Sequence, residues 1–157
     1  MTSDSSKNIT KYESYKYAFE RLQEALEKEF FLEAVMIAES IVADRLLSYL
    51  TLKLQEAESD KTLNPRAALK HLIDQWAKLD GIVIYKERQN LISDIDQWRG
   101  DRNECAHGLV KSNPGDPTKP VEEFRNKARD CALQGKQLAR DLCSWTQSQK
   151  SKIRKSA

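Results

Sequence analysis

Residues 30–58 read FFLEAVMIAESIVADRLLSYLTLKLQEAE, and this stretch decides the fold. Its apolar side chains, among them Val35, Met36, Ile37, Ile41, Val42, Leu46, Leu47, Tyr49, Leu50 and Leu54, point in too many directions for one stripe, and neither proline nor glycine breaks the run. A helix apolar around most of its circumference must be surrounded, so the segment from Phe30 to about Glu58 is expected to run through the centre of a helical bundle. Glu39, Ser40, Asp44 and Arg45 lie inside the same stretch, and polar groups on a buried helix need partners. Two placements stay open for them: a solvent-facing strip with Asp44 and Arg45 paired elsewhere, or one of them facing an active cleft.

Before this segment, Tyr12, Tyr15, Phe19, Leu22, Leu26 and Phe30 recur at spacings of three and four, the pattern of an amphipathic helix over residues 11–29. After it, Asn64-Pro65 reads as a helix start, followed by the stripe Leu69, Leu72, Ile73, Trp76 and Leu79 and a stop at Asp80-Gly81. Ile82 to Tyr85 is a short apolar connection able to be extended. A fourth helix is expected from about Lys86, with Leu91, Ile92, Ile95 and Trp98 inward. Gly100 is expected to interrupt it, and Asp101 with Glu104 has the capping-box pattern that would start a new helical turn at Arg102. Residues 108–120, GLVKSNPGDPTKP, hold three of the four prolines and two of the five glycines and read as an exposed loop. From Pro120 a last helix carries Phe124, Ala128, Cys131, Leu138, Leu142 and Trp145, with Glu122 and Glu123 in its acid-favouring first turn. The expected architecture is all-α, an up-and-down bundle of four long helices plus one or two short ones. It forms one domain over residues 8–148, with flexible tails at 1–7 and 149–157.

The composition narrows the class. No apolar run approaches the roughly 18–20 residues of a membrane span, and the polar stretch Met1 to Thr10 lacks the apolar core of a signal peptide, so a soluble cytoplasmic protein is expected. Cys105, Cys131 and Cys143 form no CxxC pair and leave one unmatched, which points to neither a disulfide framework nor a zinc site; no metal and no cofactor is expected. The formal net charge of +2 conceals a gradient: residues 1–60 carry 7 basic and 12 acidic side chains, whereas residues 125–157 carry 9 basic and 2 acidic ones. The C-terminal excess, ending in Lys150, Lys152, Arg154 and Lys155, suits an acidic partner such as nucleic acid, or is a solvated helix face with a tail.

The chemistry concentrates in Trp98-Arg99-Gly100-Asp101-Arg102-Asn103-Glu104-Cys105-Ala106-His107-Gly108. This segment resembles the HEPN superfamily, helical bundles that carry an arginine, a polar residue that is often asparagine, and a histidine four to six positions after the arginine, in many members followed by glycine. Arg102 and Asn103 open the pattern, His107 closes it, and Gly108 follows. Arg66 and His71 repeat the bare spacing, but that pair lacks the asparagine, follows Pro65 and precedes Leu72-Ile73, so it reads as structural. In helix order the resemblance covers roughly residues 12–147.

The resemblance implies a metal-independent endoribonuclease. An imidazole such as that of His107 can take the proton of a ribose 2′-hydroxyl or give one to the leaving 5′-oxygen. The guanidinium of Arg102 can hold the phosphate as charge builds on it, and Asn103 can orient either group. Residues five apart on a helix lie about 140° apart around its axis, so one chain does not aim both at one spot. The family answer is a homodimer whose two copies share one cleft. Arg99, Arg125, Lys127 and Arg129 are candidate contacts to the RNA backbone, or ordinary helix-surface charge. Glu104 reads as a cap and Cys105 as a packed apolar residue. Some family toxins carry a modifiable tyrosine two positions after the histidine, where this chain has Leu109. The implied role is a toxin or phage-defence effector, restrained by a cognate antitoxin or regulatory protein. The alternatives are a non-catalytic HEPN-like module that binds RNA, nucleotide or protein, and a helical scaffold in which Arg102 and His107 are incidental.

Overall fold

The computed structural model describes residues 2–108, 114–117 and 119–156, with side chains from Lys7 onward. Its helices are α1 (Thr2–Glu27), α2 (Phe31–Glu56), α3 (Leu69–Asp80), α4 (Leu91–Gly108) and α5 (Val121–Ser156). Among the described residues there is no strand, only an isolated bridge between Tyr85 and Arg88. The chain is all-helical, and no helix among the described residues is long and apolar enough to cross a membrane.

Helices α2 and α5 form the central pair; α1 lies against α2, α4 against α5, and α3 joins α2 to α4. The inner face of α2 buries Ala34, Val35, Ala38, Ile41, Val42, Leu46, Tyr49 and Leu50. Tyr49, Trp76 and Trp145 bring α2, α3 and α5 together, with ring centroids 4.8 and 5.2 Å from Trp145. The polar edges of this cluster share one acceptor: Asp80 receives the Tyr49 hydroxyl at 2.6 Å and the Trp76 indole N–H at 3.0 Å. A buried aromatic with a polar edge is stabilised only when that edge is matched.

Several local expectations are corrected. The inner face of α1 is centred on Ala18, Leu22 and Ala25, which puts Tyr12 roughly 100° away and into solvent. Phe30 is also exposed, because α1 has already ended at a left-handed Glu29 (φ 59°). There the Phe30 N–H bonds to the Ala25 carbonyl at 2.8 Å and the Glu29 N–H to Leu26 at 3.2 Å, a glycine-type helix stop made without glycine. Asn64-Pro65 does not begin α3: the Asn64 Oδ1 accepts the Arg66 N–H in a separate turn, and α3 starts at Leu69. Helix α4 starts at Leu91, not Lys86, because Asn90 Oδ1 accepts the backbone N–H of Ile92 and, across the connection, that of Val83. Gly100 does not interrupt α4, so Asp101 caps nothing; a mid-helix glycine costs only about 1 kcal/mol, less than the packing of Trp98 and Cys105 on either side of it returns. Residues 2–7 and 149–156, expected as tails, are helical. At the C-terminal end Lys150 donates to Ser48 Oγ at 2.6 Å and Ile153 is half-buried, which extends the docked part of α5 beyond Trp145. Of the loop 108–120, residues 109–113 and 118, Leu109 among them, lie outside the described residues.

The contact that fixes α4 on α5 is Trp98 against Gly135. The indole N–H donates to the Cys131 carbonyl at 2.9 Å, and a Cβ on Gly135 would fall 2.6 Å from the Trp98 ring. Around Gly100 a Cβ would meet nothing within 4 Å. Gly135→Ala should therefore destabilise the protein by about 1–3 kcal/mol through overpacking, whereas Gly100→Ala should stabilise it by about 0.5–1 kcal/mol. Urea denaturation of both variants beside the wild type checks the opposite signs.

Candidate functional site

One helical turn beyond Trp98, Arg102 continues along the side of α4 that faces the bundle and reaches α2. Its Nη2 donates to Glu39 Oε1 at 2.5 Å, with both side chains about three-quarters buried. The Arg102 Nε is buried and has no partner among the described residues. The Glu39 carboxylate answers the first need of a half-buried guanidinium, a counter-charge. A guanidinium has five N–H donors, so this contact leaves others for a ligand.

The remaining motif residues face elsewhere. Because α4 is one continuous helix, Arg99, Asn103 and His107 follow each other at four-residue steps along one outer face. Asn103 is half-buried and His107 exposed in the last turn. Arg102 and His107, about 140° apart on the same helix, are not brought together within the chain. Arg99 is held by Asp96 at 3.1 Å, beside a Lys70 ammonium that bridges Asp96 and Asp74. It is thus part of an ion network between α3 and α4 rather than an unattached cation. Arg66 and His71 do not share a helix: Arg66 sits in the turn before α3, and His71 is exposed on it.

The three cations at the start of α5 diverge. Arg125 turns towards the end of α1 and pairs with Glu29 at 3.2 Å and Glu122 at 3.7 Å, both exposed contacts of small worth. Arg129 follows one turn later and is exposed. Lys127 projects from another side of α5, is exposed, and sets a positive charge near the Cys105 thiol of α4. Cys105 is buried against Cys131; burial pushes the Cys105 thiol up and that of Cys131 up to about 12, so neither thiol is a ready nucleophile. Among the described residues no three of His, Cys, Asp and Glu are grouped so as to hold a metal ion.

A groove of about 820 Å³ opens where Lys86, Arg88, Asp94, Gln137 and Asp141 meet, and none of the motif residues lines it. Asp141, nearly inaccessible, accepts from Arg88 Nε at 2.8 Å and Gln137 at 3.0 Å, while Arg88 also reaches Asp94 at 3.0 Å. This pairing is a strut that fastens the Tyr85–Arg88 turn to α4 and α5. Neither Arg88 nor Asp141 carries a sequence signal that would have singled it out, since the partners are 53 residues apart. Glu39 announces itself in the sequence only as a polar group in need of a partner, and Arg102 is that partner. Comparison with family models, with curated proteins and with solved structures yields no match.

The coupling of Glu39 to Arg102 can be measured. A double-mutant cycle of Glu39→Ala and Arg102→Ala should return about 1 kcal/mol of interaction in chemical denaturation, above the usual value for exposed pairs. A cycle that closes within 0.2 kcal/mol or so would mean that solvent screens the pair fully.

Proposed function

We propose that this chain is a metal-independent endoribonuclease of the HEPN type, acting in the cytoplasm as a homodimeric toxin or phage-defence effector. The observation that carries the reading is the division of labour on α4: Arg102 is held towards α2 by Glu39, while the next residue, Asn103, and His107 a turn beyond it occupy the outward face. Each chain offers the phosphate-holding and proton-transferring groups in different directions. Two copies related by a two-fold axis can supply what one cannot.

In that composite cleft, one His107 takes the proton of the ribose 2′-hydroxyl, and the 2′-oxygen attacks the adjacent phosphorus. The bond from phosphorus to the 5′-oxygen breaks, and the second copy's His107 protonates the leaving oxygen. The products are a 2′,3′-cyclic phosphate and a 5′-hydroxyl, and no redox change occurs. Arg102 carries the negative charge of the transition state, and Asn103 orients the phosphate or the imidazole. Lys127, with Arg99, Arg125 and Arg129 farther along, supplies diffuse attraction for the strand. A cognate antitoxin or other regulatory protein would restrain the activity.

A second reading is favoured by the same ion pair. Glu39 neutralises much of the charge Arg102 would bring to a phosphate, which suits a non-catalytic module that binds RNA, nucleotide or protein.

Induced expression of wild type, His107→Ala and Arg102→Ala separates the two. Growth arrest with cleavage of cellular RNA by the wild type, abolished in both variants, is the expected outcome. Purified protein should also lose specific activity on dilution below the dimer dissociation constant. Intact RNA with all three proteins, alongside salt-sensitive RNA binding, would select the binding module.

A further inference from the structure

On the flank of α2 opposite α4, a second set of cations converges that the cleavage reading does not use. Lys11 and Tyr15 come from α1, Asp44, Arg45 and Ser48 from α2, and Lys150 and Arg154 from α5. Asp44 accepts the Lys11 ammonium at 2.6 Å and the Tyr15 hydroxyl. The Arg45 guanidinium stacks on the Tyr15 ring, 3.8 Å from its centroid, and its Nε is buried with no partner among the described residues. Lys150 reaches Ser48, and the positive charges of Arg45, Arg154 and Lys11 surround it, with Asp44 as the answering acid. Four cations thus face one carboxylate. Among the described residues no carboxylate forms an ion pair with Arg45, Arg140, Lys150 or Arg154.

Like charges gathered around a half-buried ammonium are unfavourable, and here burial together with Arg45 and Arg154 pushes the Lys150 amine below its ordinary value. A bound anion removes that repulsion, so the arrangement has anion affinity built in. The extent of the charge identifies the anion. Lys136 and Arg140 precede Lys150 and Arg154 on the same side of α5, and Lys136 donates to Gln23 of α1 with Glu27 as the acid nearby, so this side faces the α1/α5 seam. From Lys136 to Arg154 the seam runs about 27 Å, several phosphates of a nucleic acid strand. A small phosphate would need only the Arg45 and Lys150 end.

We infer that the α1/α5 seam is a phosphate-binding track for single-stranded RNA, anchored where Arg45, Lys150 and Arg154 converge, on the side of α2 away from Arg102. It goes beyond the cleavage reading and stands even if α4 is not catalytic.

The test is fluorescence anisotropy with a twelve-nucleotide single-stranded RNA over a range of salt, in a His107→Ala background so that no strand is cut. Lys150→Gln/Arg154→Gln should weaken binding at least tenfold and flatten the logarithmic salt dependence by about 1.4, roughly 0.7 for each phosphate that is no longer neutralised. Lys152→Gln/Lys155→Gln, which removes equal charge from the same helix outside the cluster, should change affinity less than threefold. Circular dichroism melting of both variants verifies that each is folded, and Arg140→Gln serves as an independent probe if the first pair is not. Equal losses from the two double variants would overturn the inference in favour of diffuse charge. So would inorganic pyrophosphate raising the wild-type melting temperature while RNA binding ignores the seam variants, which would assign the site to a free phosphate. Selective loss of a polyglutamate peptide, with RNA binding unchanged, would overturn it in favour of an acidic protein partner.

Discussion

The close approach of Trp98 to Gly135 is the constraint on which the rest of the molecule depends. An indole laid on a helix backbone needs a neighbour without a side chain, and its N–H then finds the Cys131 carbonyl one turn earlier on α5. That contact sets both the distance and the rotation of α4 relative to α5. Arg102 lies four residues after Trp98, so the same rotation carries it to Glu39 on α2. The rotation equally decides that Asn103 and His107 look outward. The placing of the candidate chemistry is therefore a consequence of core packing, not of local preferences in the motif.

Charge is handled differently on the two flanks of α2. Towards α3 and α4, the half-buried and buried charges are matched: Arg102 by Glu39, Arg99 by Asp96, and Arg88 by Asp141 and Asp94. These pairs place elements, because removing either partner would leave an uncompensated charge in a low-dielectric setting. Towards α1 and the end of α5, cations outnumber acids and the arrangement is not self-sufficient. A folded chain that crowds like charges loses stability there, and the deficit is relieved by an anion supplied from outside. The acidic N-terminal and basic C-terminal halves of the sequence are thus not simply folded onto each other. Arg125 with Glu29 is such a pairing, but Lys150, Arg154 and Arg140 are left over.

The sequence by itself determined the helical class, the existence of each helix and the stripes that became the core. Periodicity is a local property, and Leu22, Leu46, Leu72, Ile95 and Leu142 each announce a buried face within a few turns of chain. Through the 140° rule it also fixed the separation of Arg102 from His107 around α4, which follows from helix geometry alone. Where local signals competed with packing they misled: Pro65 and Asp101 have the chemistry of helix starts, yet α3 begins four residues later and α4 runs straight through. Glycine at position 100 weakens a helix by less than the burial on either side of it contributes, so only the docked structure could decide that α4 is continuous. The partner of Arg102, the strut between Arg88 and Asp141, and the convergence of Arg45 with Lys150 join residues 63, 53 and 105 positions apart. Such pairings depend on how helices are rotated against one another, which is set by the fit of side chains such as Trp98 and by no pattern within a single helix.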